Sequence, residues 1–189
     1  MDVSSSLDFH DNKIVCRDTD SPWYGMEVMM DWEAPIMSAS AAYVTEGGGD
    51  ILEIGFGMGI ASNYIQSHSI SSHTIIENNY KIVDKAVEWA NGKSNVTIIS
   101  QSWYDVKDSL DIYDGIFYDT FGDSSEGYFS SSLSSWIKSG TKVTFWNNNS
   151  SETNNYNLSS VTYKSINVLP ESNSYFTGST TYYMPMREF

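Results

Sequence analysis

Positive charge is the scarcest feature of this chain. Ten Lys and Arg, of which only Arg17 and Arg187 are arginine, stand against 24 Asp and Glu in 189 residues, a formal net charge of −14. Nucleic-acid backbones are held by Lys and Arg that release counterions, so that class of partner is excluded. An anionic membrane surface repels such a chain as well. Cysteine is nearly absent. Cys16 stands alone, an intramolecular disulfide is impossible, and no Cys/His cluster has the spacing of zinc ligands, so no metal is expected. A lone thiol fits a reducing, cytoplasmic setting. No apolar run approaches the roughly 18 residues of a membrane span. Met1 to His10 lack the basic and apolar regions of a secretory signal, so the chain is expected to be neither exported nor inserted.

What is present suits one globular domain. At about 150 residues per domain the length leaves no room for a second, and it is large enough to bury a core without staples. Hydrophobic residues make up 40% and aromatics 14%, while charged residues reach only 18% because Ser and Asn take their place. Up to about Gly25 the chain is polar and aperiodic apart from Ile14-Val15, and reads as an arm or lid. Residues 26–45 place Val28, Met29, Trp32, Ile36, Ala39 and Tyr43 at helical spacing, interrupted at Pro35. Residues 1–45 are thus expected to cover the site, and 46–189 to form the sheet core.

From Glu46 onward a regular alternation begins. Ile51-Leu-Glu-Ile54, His73-Thr-Ile-Ile-Glu77, Val96 to Ser100, Asp114 to Asp119 and Lys142 to Trp146 read as strands. Helices are expected after Ile60, from Tyr80 to Asn91, and weakly from Gly127 to Ser139. The pattern predicts an α/β, doubly wound, mostly parallel sheet. Val161 to Val168 and Thr180 to Met186 are β-rich without a crossover helix between them, which predicts a terminal antiparallel hairpin and seven strands in all.

The first strand runs into Gly55-Phe-Gly-Met-Gly59, glycines where a backbone must approach a ligand closely and where a helix begins. Glu77 lies 20 residues past Gly57 at the end of the second strand, where a carboxylate can take both hydroxyls of a ribose. Together they point to a nucleoside site; a plain tight turn beside a solvated carboxylate is the other reading. Trp103 follows the third strand and either covers an adenine or packs in the core. Between Gly55 and Trp103 no Lys or Arg is placed for a pyrophosphate, which favours a ligand with few phosphates or none.

Two carboxylates complete the candidates. Asp119 sits at the C-terminal end of the fourth strand, the edge at which open α/β sheets bind ligands. Glu33 reaches the same place only if the N-terminal helix folds over. Converging there, the pair would bind a planar cation, best a guanidinium, whose fork matches carboxylate oxygens. A surface Glu and an Asp capping the next segment are the plainer readings.

Four ordered blocks carry a resemblance: Val28-Met-Met-Asp-Trp-Glu-Ala-Pro-Ile-Met37, Ile51 to Ile60, Ile75-Ile-Glu77 and Asp114-Gly-Ile-Phe-Tyr-Asp-Thr120, with an echo at Tyr182-Tyr-Met-Pro185. They resemble guanidinoacetate N-methyltransferase, and also protein arginine δ-N-methyltransferases. The resemblance implies a class I, Rossmann-like methyltransferase using S-adenosylmethionine. It implies that Gly55, Phe56, Gly57, Met58, Gly59 and Ile60 wrap the methionine part, that Glu77 and Asn78 hold the ribose, and that Ser102 and Trp103 line the adenine. Met29 and Met37 would pack near the sulfonium beside Asp119. Glu33 and Asp119 would grip the acceptor's guanidino group and act as the catalytic pair. Asn149 and Ser150 align with the family's acceptor-carboxylate contacts but differ from its pattern.

The expected partner is a small-molecule guanidino acceptor such as guanidinoacetate, with the chain a monomer or homodimer. Protein-arginine methylation, small-amine methylation and cofactor binding without transfer are the alternatives.

Overall fold

Residues 6–45 are more structured than their polar composition suggests. Leu7–Phe9 (β1), Lys13–Cys16 (β2) and Glu27–Met30 (β3) pair antiparallel into a three-stranded sheet. The expected arm is therefore a small sheet that buries Leu7, Ile14 and Cys16. The expected helix over 26–45 is corrected as well. Its first part is β3, a 3-10 turn covers Asp31–Glu33, and α1 runs only over Ala34–Val44, with Pro35 in its first turn. Proline there starts the helix rather than interrupting it, because the first-turn N–H groups have no intrahelical acceptor to lose. The structure, a computed structural model, describes residues 6–189; residues 1–5 of the expected arm lie outside the described residues.

After α1 come β4 (Asp50–Ile54), α2 (Ile60–Gln66), β5 (Ser72–Glu77), α3 (Tyr80–Ala90), β6 (Val96–Ser100), α4 (Trp103–Val106), β7 (Gly115–Tyr118), α5 (Phe129–Ser132), β8 (Lys142–Phe145), β9 (Thr162–Asn167) and β10 (Thr181–Glu188). The seven strands from β4 onward form one sheet in the order β6-β5-β4-β7-β8-β10-β9. Pairings among β4 to β8 are parallel, whereas β10 runs antiparallel to both β8 and β9. The expected doubly wound sheet with a terminal hairpin is what forms. The weak helix expected over 127–139 shrinks to α5 between 3-10 turns at Glu126–Tyr128 and Leu133–Ser135.

Strand alternation sends side chains to two apolar layers. Ile51 and Phe117 join Ile36, Met37 and Ala61 on one face; Leu52, Ile54, Ile116 and Tyr118 join Trp103, Phe129 and Trp136 on the other. Each large side chain so buried contributes about 1.5–3 kcal/mol. Asn147, just past β8, ties the hairpin in: its N–H donates to Tyr182 Oη at 2.8 Å and its Nδ2 to the Tyr183 carbonyl at 3.0 Å. Among the described residues no helix is long and apolar enough to cross a membrane.

Candidate active site

The strand order reverses between β4 and β7, and the carboxyl ends of these two neighbours bound a cleft. Gly55 leaves β4 at φ +95°, and a Cβ there would lie 1.8 Å from the Asp119 carbonyl. Only glycine permits that approach. The Asp119 N–H donates to the Ile54 carbonyl at 2.9 Å, so the glycine turn and Asp119 are held side by side. From β3, Met29 lays its sulfur on the same turn, 3.2 Å from the Met58 N–H.

Glu77 is buried beneath this turn. One oxygen accepts from the Phe56 N–H at 3.1 Å; the other accepts from the N–H groups of Asn78 and Asn79, both at 2.8 Å. Burial pushes its carboxyl up, against the three hydrogen bonds. The cleft wall also includes Met29, Met37, Gly55, Phe56, Gly57, Asn78, Trp103 and Asp119. Of the other residues singled out in the sequence, Gly59 and Ile60 open α2, and Ser102 caps α4 by accepting from the Tyr104 N–H at 3.3 Å. Asn149 and Ser150 lie on the surface loop after β8, where Asn149 Nδ2 donates to Asn147 Oδ1 at 3.0 Å. They are not brought to the cleft wall. Trp103 takes both of its possible roles: 3% exposed, it packs edge-on against Tyr104, Tyr118, Phe129 and Trp136, and it still lines the cleft.

Two carboxylates that the sequence reading passed over also line the cleft. Asp123 accepts from the Trp103 indole N–H and, at 2.7 Å, from the Tyr118 hydroxyl. Glu53, fully buried on β4, accepts from Ser62 Oγ at 2.7 Å and lies 2.8 Å from His73 Nε2. Its other oxygen, Oε1, is buried with no hydrogen-bond partner among the described residues. A charged residue inside Ile51-Leu-Glu-Ile54, a strand covered on both faces, was the available signal. The wall thus carries four carboxylates, Glu53, Glu77, Asp119 and Asp123, and among its described residues no Lys or Arg. Such a wall suits a nucleoside with a positively charged tail and does not suit a phosphate.

Glu33 ends the 3-10 turn after β3 and is 3% exposed. Its Oε1 accepts from the Met30 N–H at 2.7 Å and from the Tyr175 hydroxyl at 2.6 Å. It is close enough to Asp119, on the cleft wall, for the two charges to interact. Burial, then repulsion from Asp119, pushes the Glu33 carboxyl up to about 8. Burial, then Glu53, pushes Asp119 up to about 7. Two acids that resist ionising together accept a cation readily, because its charge removes both penalties. Among the described residues no group of three or more His, Cys, Asp or Glu could hold a metal ion. Trp23, in the loop before β3, packs edge-on against Phe121 of the cleft wall, with ring centroids 5.6 Å apart.

The model of the guanidinoacetate N-methyltransferase family matches residues 7–157. A protein arginine N-methyltransferase 2 of Kluyveromyces lactis is 35% identical over 132 residues, 64% of this chain and 31% of the relative. The chain spans about a third of the length of the curated relatives it matches. Among solved structures, a spermidine synthase of Thermotoga maritima superposes with a TM-score of 0.67 at 10% identity, covering 97% of this chain and 72% of the other. A precorrin-6y C5,15-methyltransferase of Geobacter metallireducens superposes with a TM-score of 0.59 at 14% identity, covering 80% and 86%. These two likenesses establish the fold.

Proposed function

Because the chain belongs to the guanidinoacetate N-methyltransferase family, we propose that it transfers a methyl group from S-adenosylmethionine to a guanidino nitrogen. The observation that carries this reading is Asp119 held against the glycine turn at the cleft, with buried Glu33 near enough to feel its charge. The cofactor fits the donor set: four carboxylates without a cation, one of them with an orphaned buried oxygen, suit a ligand that is positively charged at sulfur and at an ammonium group. Gly55 to Ile60 would hold its methionine part, Glu77 and Asn78 its ribose, and Ser102 and Trp103 its adenine, with Met29 and Met37 near the sulfur. When bound, S-adenosylmethionine supplies an electrophilic methyl group.

The chain's own residues do the rest. A guanidinium is protonated at neutral pH and its lone pairs are delocalised, so it is a poor nucleophile. Glu33 and Asp119 draw the positive charge toward the nitrogens they bind and orient the remaining one for attack. As that nitrogen gains the methyl group, one of its N–H protons passes to Asp119, whose pushed-up carboxyl accepts a proton near neutral pH.

Two acceptor classes have support. The family model that matches residues 7–157, that of guanidinoacetate N-methyltransferase, favours a small guanidino acid such as guanidinoacetate. The relatives named protein arginine N-methyltransferase 2, together with a net charge of −14, suit an arginine in a basic protein. Labelled S-adenosylmethionine offered with guanidinoacetate, free arginine or a basic arginine peptide separates them. Label on the small acid alone supports the first, label on the peptide alone supports the second, and label on neither contradicts guanidino transfer.

A further inference from the structure

A third element closes on the carboxylate pair. The loop of residues 168–180, between β9 and β10, is pinned at several points. Asn173 Oδ1 accepts from the N–H groups of Tyr175 and Phe176 at 3.1 and 2.6 Å. Ser174 donates through its N–H and its hydroxyl to Glu27 Oε2 of β3, at 3.1 and 2.7 Å. Asn12 Nδ2 donates to Glu171 at 3.2 Å. Phe176 is buried and stacks on Trp32, with ring centroids 5.6 Å apart. The Tyr175 ring is flanked by Trp32 at 6.1 Å and Trp146 at 5.9 Å, which aims its hydroxyl at Glu33.

We propose that Tyr175 is a positioning residue for the acceptor: its hydroxyl fixes the Glu33 carboxylate so that the second oxygen meets the guanidino N–H. This rests on Glu33 as a grip for the acceptor. Both hydrogen bonds that Glu33 accepts fall on Oε1, one from the backbone of its own turn and one from the loop. A carboxylate with one oxygen tied in this way has a single orientation for the other. The groups facing Glu33 are Asp119, Tyr175 and Tyr182, and Tyr175 also feels Glu27 and Asp119. Burial, reinforced by Glu33, holds the Tyr175 phenol far above its ordinary range, so it stays a donor throughout the working pH range. Its hydrogen bond favours ionised Glu33 against burial and Asp119. Removing it therefore raises the Glu33 carboxyl further and leaves less of the gripping form at neutral pH.

Tyr175→Phe keeps the ring and removes only the donor. The expected result is a rise of about 5- to 10-fold in acceptor KM at pH 7, with cofactor Kd unchanged and the acidic limb of the kcat/KM profile moved upward by about half a pH unit or more. Carbon-13 NMR of the Glu33 carboxyl should show its titration moving the same way. In a Glu33→Gln background the substitution should add no further loss. An unmoved limb and titration would overturn the proposal, as would the same loss in the Glu33→Gln background. A lowered acceptor KM would also overturn it, making the hydroxyl a competitor for Glu33. Unchanged acceptor kinetics in Glu33→Gln would remove the grip itself and this proposal with it, whereas an effect there with none in Tyr175→Phe removes Tyr175 alone.

Discussion

Glu77 ties the fold together and, in the function proposed, also holds the ligand. Its carboxylate ties the glycine turn through Phe56 to the start of α3 through Asn78 and Asn79, while lining the cleft. Glu77→Ala leaves three N–H groups without that acceptor and would remove the proposed ribose contact. Calorimetry should find the cofactor Kd raised about 10- to 100-fold, since each charge-assisted hydrogen bond contributes about 1.5–3 kcal/mol. An unchanged Kd would take Glu77 out of the ribose role. Glu77 and Asp119 stood out in the sequence because strand ends and a glycine turn mark the ligand edge of such sheets, whereas Glu33 was singled out through the block Val28 to Met37 that carries the family resemblance. Tyr175 was not. It sits in a polar loop without periodicity and meets Glu33 across 142 positions, a contact made only by the hairpin's return.

Among the elements, the turn from β4 into α2 carries the most constraint. Gly55→Ala would meet the Asp119 carbonyl in a left-handed backbone, so denaturant unfolding should find a loss of about 3 kcal/mol or more. Gly127 faces open space, and Gly127→Ala should change stability by no more than about 0.5 kcal/mol. Similar losses in both would contradict the close packing of turn against Asp119. The strands from β4 onward could be read from apolar runs bounded by turns. The N-terminal sheet could not, because β1 and β2 lie in polar, aperiodic sequence without the strand–helix alternation that marks the equally short β7 and β8. The apolar residues of β3 also fell by chance into helical step with those of α1, which made Pro35 look like a break.

For the molecule as a whole, acidity is the dominant fact. The chain carries a net charge of −14 and keeps Glu33 and Glu77 buried and Asp119 half-buried, with carboxyls pushed above their ordinary range. An acid that is harder to ionise in the folded state binds more protons there than when unfolded. Stability from these groups therefore falls as pH rises from the ordinary carboxylate range toward about 8. The Tm should be several degrees higher at pH 5.5 than at pH 8.5, and Glu33→Gln should flatten the slope. A Tm that rises over that interval would contradict buried, strained carboxylates. Guanidino methylation is put to the test by single-turnover transfer from labelled S-adenosylmethionine to a guanidino acceptor, in the wild type and in Asp119→Asn. Label is expected on a guanidino nitrogen in the wild type, with a rate lower by about 100-fold or more in Asp119→Asn and nearly equal cofactor Kd in both. Equal rates in the two proteins, or transfer to an amine alone, would contradict it.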